Sequence, residues 1–309
     1  MKFISELFWN YSENRLRGGY RIAVQFILFF AVFLLSSLIT SDITDKVLQI
    51  TVDEIIFSSL GIFTIYFAAK FLDKREFRSL GFAINRVWLK EFSSGLLIGG
   101  SAIIFVFIAE YFCGMIIIAD YFASASKQNF VHVMALRFIG YFFVALSEEA
   151  FSRGYHIKNI AESLTIGRIK KVHAVVIALV LSSLLFGFLH GANPNASLIS
   201  SINLILIGLF YGYAYLLTGS LAMPIGIHFT WNFVQEAFFG FPVSGFKSSA
   251  SIVKTEYVNG FELWNGGSFG PEAGLIILPS ILLGVLLLRF IVKKQSGSLE
   301  LKTRLCDYN

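Results

Sequence analysis

The chain has 309 residues, 56% of them hydrophobic and only 15% charged, with 34 phenylalanines and a mean hydropathy of +0.70. That composition excludes an ordinary soluble enzyme and describes a membrane protein. The formal net charge of +5 does not point to nucleic acid, because basic residues gathered in cytoplasmic loops account for it in a membrane protein. No nucleic-acid partner is expected.

Apolar runs of about twenty residues, enough to cross a bilayer core, recur along the whole sequence. Spans are expected at 19–40, 53–72, 92–118, 130–151, 172–190, 198–217, 220–239 and 273–292. The expected fold is all-α, a polytopic helix bundle with about eight transmembrane helices in one domain, 1–309. The first run follows Lys2, Arg15, Arg17 and Arg21, and its length and lack of a convincing cleavage site make it an uncleaved span rather than a signal peptide. Basic residues then cluster between the second and third spans (Lys70, Lys74, Arg75, Arg78, Arg86, Lys90), between the fourth and fifth (Arg153, Lys158, Arg168, Lys170, Lys171) and after the eighth (Arg289, Lys293, Lys294). The opposite side holds only Lys46, Lys127, Lys247 and Lys254. A multi-pass protein of the cell membrane with both termini in the cytoplasm satisfies this bias.

Gly95 with Gly99, and Gly208 with Gly212, repeat small residues at the spacing that lets helix backbones approach in a bilayer. The Gly- and Ser-rich segment 240–272 reads as an outer loop, and 293–309 as a polar cytoplasmic tail, mobile like most chain ends. Cys113 and Cys306 are too few for a disulfide framework.

The fourth span ends in YFFVALSEEAFSRGY, where Glu148, Glu149 and Arg153 interrupt an apolar run. Ionisable groups at such positions are costly and tend to mark function. Residues four apart share a helix face and adjacent ones diverge by about 100°. Glu149 is therefore expected to pair with Arg153, leaving Glu148 to face a cavity as a candidate general base. A purely structural ion pair is an equal reading of this stretch alone. His190 ends the fifth span in SSLLFGFLHG, and His228 lies in the seventh in MPIGIHFTWN, with Asn232 four residues later on the same face. Polar groups from three apolar spans satisfy one another by converging. His132, His156 and His173 are read as surface or interfacial.

EEAFSR, FGFLH and HFTWN resemble, in order, the EExxxR, FxxxH and HxxxN motifs of the CPBP intramembrane proteases, also called the CAAX protease and bacteriocin-processing or Abi family. The resemblance covers a protease core at about 130–239, and GGSFGPEAG is similar to bacterial members. It implies an endopeptidase acting on a membrane-associated or lipidated protein or peptide, near the cytoplasmic half of the bilayer. It implies that Glu148 activates water, that Glu149 with Arg153 supports it, that His190 and His228 face the same water or metal, and that Asn232 helps bind the oxyanion. The family's metalloprotease label makes His190, His228 and Glu148 candidate ligands of a zinc ion. A metal-free route through the same residues stands beside it. Two other functions stay open on the sequence: a proton-coupled transporter, and a non-catalytic membrane immunity or interaction protein.

One geometric condition attaches to this site. Span five begins at the cytoplasmic face and His190 lies about 27 Å along it at about 1.5 Å per residue, so Glu148 must lie equally deep. A fourth helix continuing past Arg153 through Ile160 meets the condition, as does a broken or tilted fifth span; the first is preferred because IKNIAESL contains no strong helix breaker.

Overall fold

The computed structural model describes residues 7–124, 129–165 and 169–308. Lys2, Lys127 and Arg168 lie outside the described residues. A short hairpin of β1 (Trp9–Asn10) and β2 (Arg15–Leu16) leads into α1 (Gly18–Thr40). The rest is a helix bundle: α2 (Lys46–Phe67, extended by a π-helical turn to Leu72), α3 (Arg86–Phe112), α4 (Phe130–Glu149, continuing to Thr165), α5 (Lys171–Leu189), α6 (Leu198–Thr218), α7 (Ala222–Phe233, extended by a π-helical turn to Phe238) and α8 (Ile277–Ser296). Six of them, α1 to α6, are long and apolar enough to cross a membrane. The α7 helix with its π turn falls short of that length, and α8 carries Arg289, Lys293 and Lys294 in its second half. The all-α expectation holds, with six clear spans and two further helices where eight spans were expected.

The loops sort to two ends, as alternate crossings require. At one end Arg21 Nη1 meets Asp73 Oδ1 at 2.8 Å, Leu221 N donates to the Gly81 carbonyl and Lys302 N to the Leu216 carbonyl. At the other end a strand β3 (Ile116–Ser124) pairs antiparallel with β4 (Ala250–Tyr257), Ile116 opposite Tyr257 and Asp120 opposite Lys254.

Those strands correct two expectations. The third span stops at Phe112, not 118, because Gly114 turns the chain at φ +69° and the β-branched run Ile116–Ile118 follows it into a strand. The loop 240–272 is not merely loop, since its Val253, Thr255 and Tyr257 supply the partner strand. The tail also differs from a free end. Leu305 and Cys306 are buried, and Lys171 Nζ reaches Asp307 Oδ1 at 2.5 Å.

The small residues act as packing surfaces. A Cβ on Gly95 would strike the Met223 carbonyl, and one on Gly99 the Ile227 carbonyl and Thr230 Oγ1, so α3 and α7 touch backbone to backbone. Gly208 and Gly212 of α6 lie likewise against Ser183 and Leu179 of α5. We expect Gly99→Leu to lower thermal stability in detergent by about 1–3 kcal/mol, the cost of overpacking. Gly100→Ala, where nothing lies within 4 Å of the added carbon, serves as the near-neutral control.

Candidate active site

The continuous helix from Phe130 to Thr165, 36 residues long, meets the depth condition. Glu148 lies roughly 25 Å back from its Thr165 end, and His190 roughly 28 Å along α5 from Lys171, at about 1.5 Å per residue. Immediately after Glu149 the helix widens into a π-helical segment, Ala150–Ile157. Such turns are frequent where side chains are re-aimed at functional positions.

Glu149 is fully buried and sits at the centre of the arrangement. Its Oε1 lies 3.0 Å from Arg153 Nη1 and 2.9 Å from His228 Nδ1. Arg153 gives its second nitrogen to the Gly208 carbonyl at 3.2 Å and stacks its guanidinium over the Phe186 ring, 4.5 Å from the centroid. The pair expected from the spacing is thus present, and it also holds a histidine. Tyr211 stacks on the His228 ring with centroids 5.1 Å apart, fixing its plane.

Glu148 points away from this cluster, as the 100° divergence requires, and its side chain keeps 25% of its surface exposed. It lines a cavity of about 370 Å³ together with His190, His228 and Asn232. His228 Nε2 stands 4.0 Å from Glu148 Oε2, too far for a direct hydrogen bond and the kind of gap that a bridging water spans. His190 Nδ1 lies 2.8 Å from the Phe186 carbonyl. A carbonyl only accepts, so Nδ1 carries the proton and Nε2 is left free. All six residues singled out in the sequence therefore gather around one cavity or its immediate support.

The zinc expectation fares differently. Both imidazoles have Nδ1 committed to an oxygen, the orientation that metal-bound histidines adopt. Among the described residues, however, no three His, Cys, Asp or Glu side chains are gathered closely enough to hold a metal ion. In this arrangement His190, His228 and Glu148 are therefore not a preformed three-ligand set.

The sequence reading also passed over several residues of the cavity. Arg137 in α4 binds Glu54 at 2.9 Å and Glu236 at 3.1 Å, and Tyr141 donates to the same Glu236 oxygen. Arg137 and Tyr141 are four apart in an apolar run, the same signal that exposed Glu149 and Arg153. His156, read as interfacial, is buried, with Nδ1 2.7 Å from the Phe151 carbonyl five residues earlier in the π segment. His132 and His173 are exposed, as expected.

Glu272 in the turn before α8 is buried at the cavity wall, where it accepts from Gln235 Nε2 at 2.8 Å and from Ser244 N. Burial pushes its carboxyl up to about 7 from 4.5. A folded acid raised in this way contributes stability that is complete below 4.5 and is lost as pH rises through about 7. Thermal unfolding of the wild type in detergent should therefore fall across that window, and Glu272→Gln should flatten the fall.

No curated protein matches the chain. A family model does, that of the type II CAAX prenyl endopeptidase Rce1-like proteins, over residues 130–234, the stretch that contains Glu148, Glu149, Arg153, His190, His228 and Asn232. Over that stretch the chain is similar to the Rce1-like type II CAAX prenyl endopeptidases, a likeness consistent with the intramembrane proteases of the CPBP family.

Proposed function

We propose that this chain is an intramembrane endopeptidase that hydrolyses a peptide bond of a membrane-associated protein or peptide with water activated by Glu148. The observation that carries the reading is the single cavity shared by Glu148, His190, His228 and Asn232, with Glu149 holding His228 from behind. Glu148 is the one carboxylate of the motif region that faces the cavity without an ion-pair partner closer than His228. It takes a proton from a water placed between it and the histidines, and returns that proton to the leaving amine. His190, with its Nε2 lone pair free, accepts from the same water. The Asn232 amide donates to the oxygen on which negative charge develops, and His228, held through Nδ1 by Glu149, lies beside it in the cavity. Fixed donors in a cavity screened from bulk water need no reorganisation as the charge appears.

The test is cleavage of a panel of membrane-tethered peptides by protein reconstituted in liposomes. Removing one oxyanion donor reduces turnover by about 10²–10³, and Asn232→Ala should fall in that range while folding normally. Undiminished turnover in Asn232→Ala would remove that role, and a wild type that cleaves nothing would remove the reading. Metal content measured on the same preparations decides the route. Stoichiometric zinc that tracks activity would replace the metal-free mechanism.

A further inference from the structure

The catalytic cavity is open at one end of the bundle and sealed at the other, and the two ends differ in charge. Its mouth is lined by Ile50 and Asp53 near the start of α2, by Arg137 in the first half of α4, and by Phe246 and Lys247 after α7. Ile50, Phe246 and Lys247 are exposed. These elements belong to the end where β3 and β4 pair, the end that is poor in basic residues.

Toward the other end the catalytic cavity does not continue among the described residues. From Glu149 to Asn159 every residue of the α4 helix is buried. Arg153 is clamped against Phe186 directly beneath the site. Further along, Asp73 and Glu162 are buried with Arg21 and Arg75 in one network, Arg21 lying 2.8 Å from Asp73 and 2.9 Å from Glu162. The pocket at that end, lined by Arg78, Lys158, Ser220 and Arg304 among others, shares no residue with the catalytic cavity. The sealed end is where Lys74, Arg75, Arg78, Lys170, Lys171, Lys293 and Lys294 collect. Basic loops stay on the cytoplasmic side.

We infer that the active site is entered from the extracytoplasmic side, so that the substrate is a peptide segment presented at the outer leaflet rather than the C-terminus of a cytoplasmic lipidated protein. The substrate clause rests on the protease reading, whereas the direction of access rests on cavity and charge alone. The mouth suits such a segment. The exposed Ile50 and the half-exposed Phe33 offer an apolar rim, while Asp53 and Lys247 offer polar partners to a peptide emerging from the bilayer. This access differs from the expectation of cleavage in the cytoplasmic half.

The experiment uses full-length protein with Cys113→Ser and Cys306→Ser, in sealed spheroplasts of expressing cells, and a charged, membrane-impermeant methanethiosulfonate as probe. Single cysteines are introduced by Lys247→Cys at the mouth, His190→Cys and Asn232→Cys within the cavity, and Arg78→Cys at the basic end. Lys247→Cys and at least one of the two cavity variants should react at least tenfold faster from outside in sealed spheroplasts than Arg78→Cys, which should react only after permeabilisation. The reverse pattern, or cavity cysteines that react only after permeabilisation, overturns the inference. The readout needs no activity, so a protein that labels as expected yet cleaves no peptide would refute the protease reading and leave the access intact.

Discussion

Glu148→Gln is expected to cut cleavage severely while leaving the protein folded. The amide fills the same volume and keeps a polar group in the cavity, but it cannot take a proton from water. General-base catalysis contributes typically about 10²–10⁴-fold, and the loss should fall in that range or beyond, because the same group returns the proton to the leaving amine. Glu148 has no ion pair closer than the 4.0 Å separation from His228, so thermal stability should be close to that of the wild type. Turnover against any peptide the wild type cleaves, with unfolding monitored in parallel, separates the two effects. Equal turnover in both proteins would transfer the base to another residue or end the enzymatic reading.

The second large effect lies one residue further on. Arg153→Met leaves the Glu149 carboxylate buried without its guanidinium, and breaking one side of a buried pair costs about 3–5 kcal/mol. The double variant Glu149→Gln with Arg153→Met removes both charges and should regain most of that stability, since an apolar or neutral replacement of a buried pair is often close to neutral. Cleavage should not return with it. In the double variant His228 Nδ1 has lost the carboxylate 2.9 Å away that sets its tautomer and orientation. Recovery of stability together with full turnover would reduce the Glu149–Arg153 pair to a structural brace.

The site was legible in the sequence to the extent that helix geometry is local. The four-residue spacing of Glu149 and Arg153, and the divergence of Glu148 from them, follow from the turn of a helix alone. The demand that α4 run past Arg153 also came from the sequence, by setting depth in the bilayer against chain length. The contact of Glu149 with His228 could not be read, because it joins two helices whose relative rotation is set by the backbone contacts of α3 with α7 and by the stacking of Tyr211. Arg137, Glu54 and Glu236 went unnoticed for a related reason. Their meaning appears only when α2, α4 and α7 come together, since none of the three has an opposite charge three or four residues away on its own helix. The β3 and β4 strands were hidden because hydropathy does not distinguish the β-branched run Ile116–Ile118 from the end of a span, and their pairing joins segments far apart in the chain.

The backbone contact between α3 and α7 bears on how a peptide could be admitted. His228 and Asn232 ride on a helix locked to its neighbour by carbonyl and glycine surfaces, which cannot slide or part without losing close contact along their length. The opposite wall is built from the side chains of Phe33, Ile50 and Phe57 on α1 and α2, and side chains can swing between rotamers. The α3 helix, which carries none of the three sequence motifs, is then the splint that holds His228 and Asn232 in place. Any widening of the cavity would then fall to the α1–α2 side chains rather than to the close-packed α3–α7 pair.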